Sequence, residues 1–436
     1  MSDIKIAVIG GGSSYTPELI DGFIKRHKTL PVKEICLCDI ESGKEKLEIV
    51  TGLARRMVEH AGLPIEIKST LNREEALIDA NFVLTQLRVG GLKARAKDEC
   101  IPLRYGLIGQ ETTGAGGFAK GLRTIPVILD ICRDMERLCG DAWLINFTNP
   151  AGMVTEAVLR HTSIKTMGLC NVPIGMTKNV AKMLDVDSKR LFIEFAGLNH
   201  LVWGKRIWLD GKRVDDQVFD LIADGESMTM KNIPDLKWDG DFLKTLKMLP
   251  CPYHRYFYLT KEMLKDEYEA SKDGKTRAQA VMEIEKSLFE KYKDVSLNKK
   301  PEELEQRGGA WYSDAAVSLI QSIYGDHRDI HTVNIRNGST IKELPSDAVI
   351  EVNAVIGKHG ALPLSVDDMS IHALGLMQSV KAYEILAVDS VVKKDRTLAI
   401  QALAVHPLVD SVETAQAVFE DIVRENQEYL SYFESV

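Results

Sequence analysis

The most constraining stretch lies at the start of the chain. Lys5-Ile6-Ala7-Val8-Ile9 is an apolar run that stops on Gly10-Gly11-Gly12. It passes through Ser13-Ser14-Tyr15-Thr16-Pro17 into an amphipathic helix expected from Glu18 to Arg26. A short apolar run closed by glycines reads as a buried parallel strand. A second run, Glu34-Ile35-Cys36-Leu37-Cys38, ends at Asp39. Strand, glycine turn, helix, strand and acid in that order form a dinucleotide-binding unit. Gly10 and Gly12 hold its first two glycine positions, and Tyr15 stands at the third, where it should loosen the packing of helix on strand. Gly10, Gly12 and Ser13 would meet a pyrophosphate at the helix N-terminus. Asp39 would bind the ribose 2′-hydroxyl and repel a 2′-phosphate, which favours NAD over NADP. The plainer reading is a tight turn in some other α/β domain, followed by a chance aspartate.

The pattern then alternates. Helices are expected over 44–61, 73–79 and 125–138, and strands over 65–67, 81–86 and 142–146. Such alternation predicts an α/β chain built on a Rossmann-like doubly wound parallel sheet. From about Phe192 the texture becomes more mixed, with strand candidates at 202–209, 332–338 and 348–352, a helix over 265–290 and a helical C-terminal part. The expected division is an NAD-binding Rossmann-like domain over 1–193 and an α+β substrate and catalytic domain over 194–436. Ligands in doubly wound sheets bind beyond the carboxyl ends of the strands. Arg88, Asn149, Cys170 and Asn171 should therefore share one crevice.

A net charge of −8 argues against nucleic-acid binding. The sequence has no apolar run of about 18 residues to cross a membrane and no signal-peptide pattern at its start. Seven scattered cysteines suit reduced thiols in a cytoplasm.

Cys170 and His200 each close a short apolar run. A thiolate and an imidazole suit a borderline metal and leave positions open for substrate oxygens, although a small buried cysteine and a satisfied histidine are commoner. No further ligands for a closed structural site are evident. His327 and His331 lack the intervening glutamate of a zinc-protease helix and read as a solvated turn. The run Tyr253-His254-Arg255-Tyr256-Phe257-Tyr258 is either core or catalytic. A tyrosine there could serve as a base only if positive charge lowered its pKa. Arg88, Arg95, Arg277 and Arg307 are either solvated charges or forks for a phosphate.

Gly10-Gly11-Gly12-Ser13, Gly109-Gln110-Glu111-Thr112, Asn146-Phe147-Thr148-Asn149-Pro150, Cys170-Asn171-Val172-Pro173 and Gly197-Leu198-Asn199-His200 together resemble glycoside hydrolase family 4. The resemblance runs from the first strand through Arg307-Gly308-Gly309-Ala310, and the Cys-Asn-Val-Pro tetrad is similar to that of the 6-phospho-β-glucosidases. This NAD-dependent family departs from two-carboxylate glycosidase chemistry. The resemblance implies transient oxidation of the sugar at C3 by NAD, loss of the C2 proton, departure of the aglycone, addition of water and reduction of C3. A divalent metal, typically Mn2+, would polarise the oxygens at C2 and C3.

The same resemblance makes Cys170 and His200 the metal ligands and Tyr256 the base, with Glu111 orienting groups in the crevice. Arg95, Asn149 and Arg277 would hold a phosphorylated disaccharide or aryl glucoside. Asn171 cannot donate a proton as an aspartate there would, and it is not assigned as the acid. A homodimer or homotetramer is implied as well. The alternatives are an NAD-dependent dehydrogenase of a sugar or hydroxy acid, and an NAD-sensing binding protein without turnover.

Overall fold

A computed structural model of the chain describes residues 4–226, 228, 230, 233–307 and 311–433. Gly308, Gly309 and Ala310, at the end of the family-like stretch, lie outside the described residues. The strands are β1 (Ile4–Ile9), β2 (Val32–Cys38), β3 (Glu66–Thr70), β4 (Phe82–Thr85), β5 (Trp143–Asn146), β6 (Lys165–Gly168), β7 (Leu191–Leu198), β8 (Leu201–Leu209), β9 (Lys212–Arg213), β10 (Leu249–Pro250), β11 (Asp329–Arg336), β12 (Val349–Gly357) and β13 (Gly360–Pro363).

The first six strands pair in parallel in the order β3-β2-β1-β4-β5-β6. That is the doubly wound arrangement expected, with its switch point between β1 and β4. Helices Thr16–Arg26, Lys44–His60 and Gly114–Leu138 supply crossovers or face cover. Parallel strands must be covered on both sides, and β1 and β4 are accordingly almost wholly buried.

The sheet does not stop at β6. β11 joins it antiparallel through the single pair Asn334↔Gly168, and β12, β7, β8 and β10 follow. Residues 193 and 194 fall inside β7, and one apolar cluster contains Ile6, Leu84, Leu198, Trp203 and Val352. The later strands thus extend the first sheet.

Three expectations need correction. The glycine-rich segment before residue 125 is already helical, because Gly114–Leu138 is one helix and its glycines admit close neighbours, such as Met153 Sδ near Gly121. The helix expected over 265–290 is two helices, Thr260–Lys272 and Arg277–Tyr292. Gly274 turns the chain at φ +65°, and a Thr276–Gln279 capping box starts the second. His331 belongs to β11 rather than to a solvated turn, and its ring Nε2 lies 3.1 Å from Ser322 Oγ. Only His327 of that pair is exposed.

Candidate active site

The glycine turn folds over the end of β2. Gly10 N and Gly11 N both donate to Cys38 O, at 2.9 and 2.8 Å. Gly12 N donates to Asp39 Oδ2 at 2.8 Å, and a Cβ on Gly12 would sit 2.8 Å from that same oxygen. A side chain at residue 12 would therefore push the acid away from the turn. Ser13 Oγ accepts from Tyr15 N at 3.3 Å, just before the helix Thr16–Arg26. The ring of Tyr15, which stands at the third glycine position, lies under the Arg307 guanidinium, 4.8 Å from its centroid.

Beyond the ends of β4 and β5 lies a carboxylate surrounded by cations. Glu111 accepts from Arg88, from Arg95 Nη1 at 3.0 Å and from Lys120 Nζ at 2.9 Å. Although burial opposes ionisation, these charges hold its carboxyl well below the usual range. Burial and the Arg88 charge push the Lys120 ammonium down to about 7. Arg95 is held again by Glu99, Nε to Oε1 at 2.7 Å, and the other Glu99 oxygen accepts from Ala278 N at 2.8 Å. That last bond brings the start of helix Arg277–Tyr292 onto the arginine.

Arg277 and Arg307 meet beside Tyr15. Arg277 Nη2 donates to Arg307 O at 3.1 Å, and Arg307 Nη1 donates to the Tyr15 hydroxyl at 3.3 Å. Arg307 also pairs with Glu285 at 3.2 Å. The Nε groups of both arginines are buried without a hydrogen-bond partner. Burial and the neighbouring arginines lower the pKa of Arg277. Unpaired buried donors on like charges are costly, and a doubly charged anion would satisfy both.

Cys170 follows β6 by two residues, and His200 sits in the tight turn between β7 and β8 at φ +61°. Both are buried. The His200 ring stacks on Tyr253 with centroids 3.9 Å apart, and Cys251 Sγ donates to His200 O at 3.6 Å. Burial, followed by the Lys120 charge, holds the His200 imidazole down at about 3, so it is neutral at pH 7. Its Nδ1 is buried without a partner. Burial raises the Cys170 thiol well above 9, and Glu351 adds to the shift.

A neutral imidazole with an orphaned nitrogen, and a buried thiol at a strand end, are donor types that fit a divalent cation, which would lower the thiol pKa. Among the described residues no group of three or more His, Cys, Asp or Glu could hold a metal. A two-ligand site leaves room for substrate oxygens.

Tyr256 is buried in the short helix Arg255–Tyr258, 6.1 Å centroid to centroid from Tyr253. Burial pushes its phenol well above 10; Glu267, Tyr253 and Glu99 add to the rise, while Arg95 opposes it. Asn149 Oδ1 accepts from Ala151 N at 3.3 Å beyond the end of β5. The geometry thus joins Glu111 with Arg88 and Arg95, and Arg277 with Arg307 and Tyr15.

Sequence reasoning passed over Lys120, Glu99 and Glu267. Lys120 and Glu99 sit in helices with no motif around them, and only charge at an otherwise apolar face could have marked them. Glu267 accepts from Gly109 N at 2.7 Å and bears on the loop carrying Glu111. Burial raises its carboxyl to about 8.

Residues 5–186 match the family 4 glycosyl hydrolase model, and residues 195–409 match the C-terminal domain of that family. The chain belongs to family 4 of the glycosyl hydrolases. It is 54% identical over 432 residues to a probable 6-phospho-beta-glucosidase of Bacillus subtilis (strain 168), covering 99% of this chain and 98% of the relative. Identity to the 6-phospho-beta-glucosidase of Escherichia coli (strain K12) is 46%, over 99% of this chain and 97% of that one. Among solved structures, the 6-phospho-beta glucosidase of Thermotoga maritima with NAD and glucose-6-phosphate superposes with a TM-score of 0.90 at 38% identity. The match covers 98% of this chain and 99% of that one. The Thermotoga enzyme has also been solved with manganese, NAD+ and glucose-6-phosphate.

Proposed function

We propose that this chain hydrolyses 6-phospho-β-glucosides, such as 6-phosphocellobiose, to glucose 6-phosphate and the aglycone. The observation that carries this reading is the Arg277–Arg307 pair, whose buried Nε donors lack partners beside the glycine turn. A sugar phosphate lying next to a dinucleotide would meet those donors. The near full-length likeness to enzymes of that name supports the choice of substrate.

Bound at the β1/β4 crevice and at Cys170–His200, NAD and a divalent ion such as Mn2+ would supply a reversible hydride acceptor and a Lewis acid. With that acceptor bound, the sugar would be oxidised at C3 and reduced again, so that the net change would be hydrolysis. Gly10, Gly12, Ser13 and Asp39 hold the dinucleotide, with Asp39 aligned by Gly12 N. Arg95, Asn149 and Arg277 orient the phosphosugar.

Tyr256 accepts the C2 proton. Burial, Glu267 and Glu99 keep its phenol protonated, so it becomes a base only where added cationic charge offsets them. Glu111 fixes Arg88, Arg95 and Lys120 and confines their charge to one side of the crevice. Cys170 and His200 serve as the metal ligands.

We extend the proposal to a homodimer or homotetramer in the cytoplasm. Seven unpaired cysteines support a reducing compartment, and no helix among the described residues is long and apolar enough to cross a membrane.

The test is incubation with 6-phosphocellobiose, NAD+ and Mn2+, each omitted in turn, while glucose 6-phosphate and NADH absorbance are followed. Sugar phosphate should appear only in the complete mixture, with flat absorbance. Stoichiometric NADH accumulation would instead mean a dehydrogenase, and NAD binding without turnover a sensor.

A further inference from the structure

One row of the sheet crosses from the parallel strands to the antiparallel ones. Gly168 of β6 pairs with Asn334 of β11, Asn334 with Glu351 of β12, and Glu351 with Gly197 of β7. The two ends of this row lie just before the two candidate metal ligands: Cys170 is two residues past Gly168, and His200 three past Gly197. Both ends must be glycine. A Cβ on Gly168 would come within 2.2 Å of Thr155 Oγ1, and one on Gly197 within 2.3 Å of Leu201 O.

The middle of the row is polar although its immediate neighbours along β12 are apolar. Glu351 is 0% exposed between Ile350 and Val352, which are equally buried. Its Oε1 accepts from Asn334 Nδ2 at 2.8 Å and from Asn199 Nδ2 at 3.4 Å. Asn334 Nδ2 reaches Gly168 O at 3.4 Å. The Asn199 side chain stands near enough to Cys170 to favour its thiolate, and its Oδ1 accepts from Gly152 N at 3.3 Å. Glu351 Oε2 has no partner. A buried carboxyl with one unsatisfied oxygen is a cost that an apolar residue would not carry. The side chain is retained for what it holds.

We infer that Glu351 is a positioning residue for the metal pair: through Asn199 and Asn334 it ties the Cys170 strand end to the His200 turn and sets their separation. This rests on the reading of Cys170 and His200 as ligands. Groups behind the ligands that fix their orientation govern metal affinity by about 10–100-fold.

The test measures Mn2+ binding to the full-length chain by the electron paramagnetic resonance signal of free Mn2+, NAD+ binding by calorimetry, and the thiolate-to-metal charge-transfer band after Co2+ loading. Glu351→Ala should weaken Mn2+ by about tenfold or more and displace the Co2+ band, with NAD+ affinity unchanged. Wild-type Mn2+ affinity and band in that variant would overturn the role, as would equal losses of Mn2+ and NAD+ binding.

Should Glu351→Ala not fold, two closer variants decide the matter. Glu351→Gln keeps an acceptor for both amides and should bind Mn2+ normally. Glu351→Asp keeps the charge but withdraws it from Asn199, and should lose about tenfold. The opposite pattern would overturn the tie. Cys170→Ser separates the two readings. If it binds Mn2+ like wild type, the ligand assignment itself fails; if it alone loses the ion while Glu351→Ala keeps it, only the positioning role fails.

Discussion

Arg277 offers the sharpest measurement, because the structure indicates how many donors it has to spare. Its Nη2 already donates to Arg307 O, while its Nε is buried and unpartnered. Arg95, by contrast, is engaged twice, by Glu99 and Glu111. On the proposed reading, phosphate recognition would fall on the Arg277–Arg307 pair, with Arg277 offering Nε and one further guanidinium N–H. Hydrogen bonds to charged groups contribute about 1.5–3 kcal/mol each, so two give about 3–6 kcal/mol. Arg277 is only half-buried, and solvent screening points to the lower end, about 100-fold in kcat/KM.

The assay is release of p-nitrophenol from the β-glucoside with and without a 6-phosphate. Arg277→Ala should lose about 100-fold on the phosphorylated substrate and change little on the other, closing the gap between them. Arg277→Lys keeps the charge without the planar fork and should fall between, at about a tenfold loss. The variant would refute the reasoning by losing the same factor on both substrates, or by keeping its preference for phosphate.

Three further outcomes are expected. Tyr256→Phe should lower kcat by about 100-fold or more, with NAD+ affinity intact and solvent deuterium no longer entering at C2; normal exchange would remove Tyr256 as the base. Cys170→Ser should lose Mn2+ binding while retaining NAD+, and treatment with peroxide should mimic it; full activity after exhaustive oxidation would exclude the thiolate as a ligand.

The third outcome concerns pH. Glu267 has its pKa raised from 4.5 to about 8, so the folded chain keeps a proton that the unfolded chain has released. That stabilisation is fully present below about pH 4.5 and is lost as pH rises through about 8. Glu267→Gln, which keeps an acceptor for Gly109 N, should flatten this part of the stability–pH curve in urea melts. An unchanged slope would show that Glu267 ionises normally.

The first half of the chain was legible because its signals are local. The glycine turn, the apolar runs and Asp39 at the end of β2 each depend on residues within a few positions, and a doubly wound parallel sheet follows from the alternation. Cys170 and His200 stood out because each closes an apolar run. Glu111 was recognisable within its motif, whereas Arg95 and Arg277 gained a role only from the family resemblance, since nothing in their spacing says that they converge. Lys120 and Glu99 escaped because a charge inside a helix looks solvated until the opposite face is known. The break at Gly274 was readable from Gly274 and Thr276, but the helical periodicity on either side masked it.

The join of the two halves was hidden for a different reason. β6 is followed in the sheet by β11, about 160 residues further along the chain, then by β12 and only then by β7. Sequence order suggests instead that β7 and β8 begin a separate layer, because consecutive elements usually lie side by side. The price of the actual order is a polar row buried in an apolar sheet, since Asn334 and Glu351 must find partners where their neighbours need none. That row runs between the strand ends bearing Cys170 and His200, so the least apolar part of the sheet coincides with the place where two distant segments must be held in register. A substitution that merely improved packing there, such as Glu351→Leu, would remove the carboxyl oxygen that accepts from both Asn199 and Asn334. It should therefore loosen the candidate metal pair, lowering Mn2+ affinity, before it loosens the glycine turn after β1, which lies beyond β5 and β4 in the sheet.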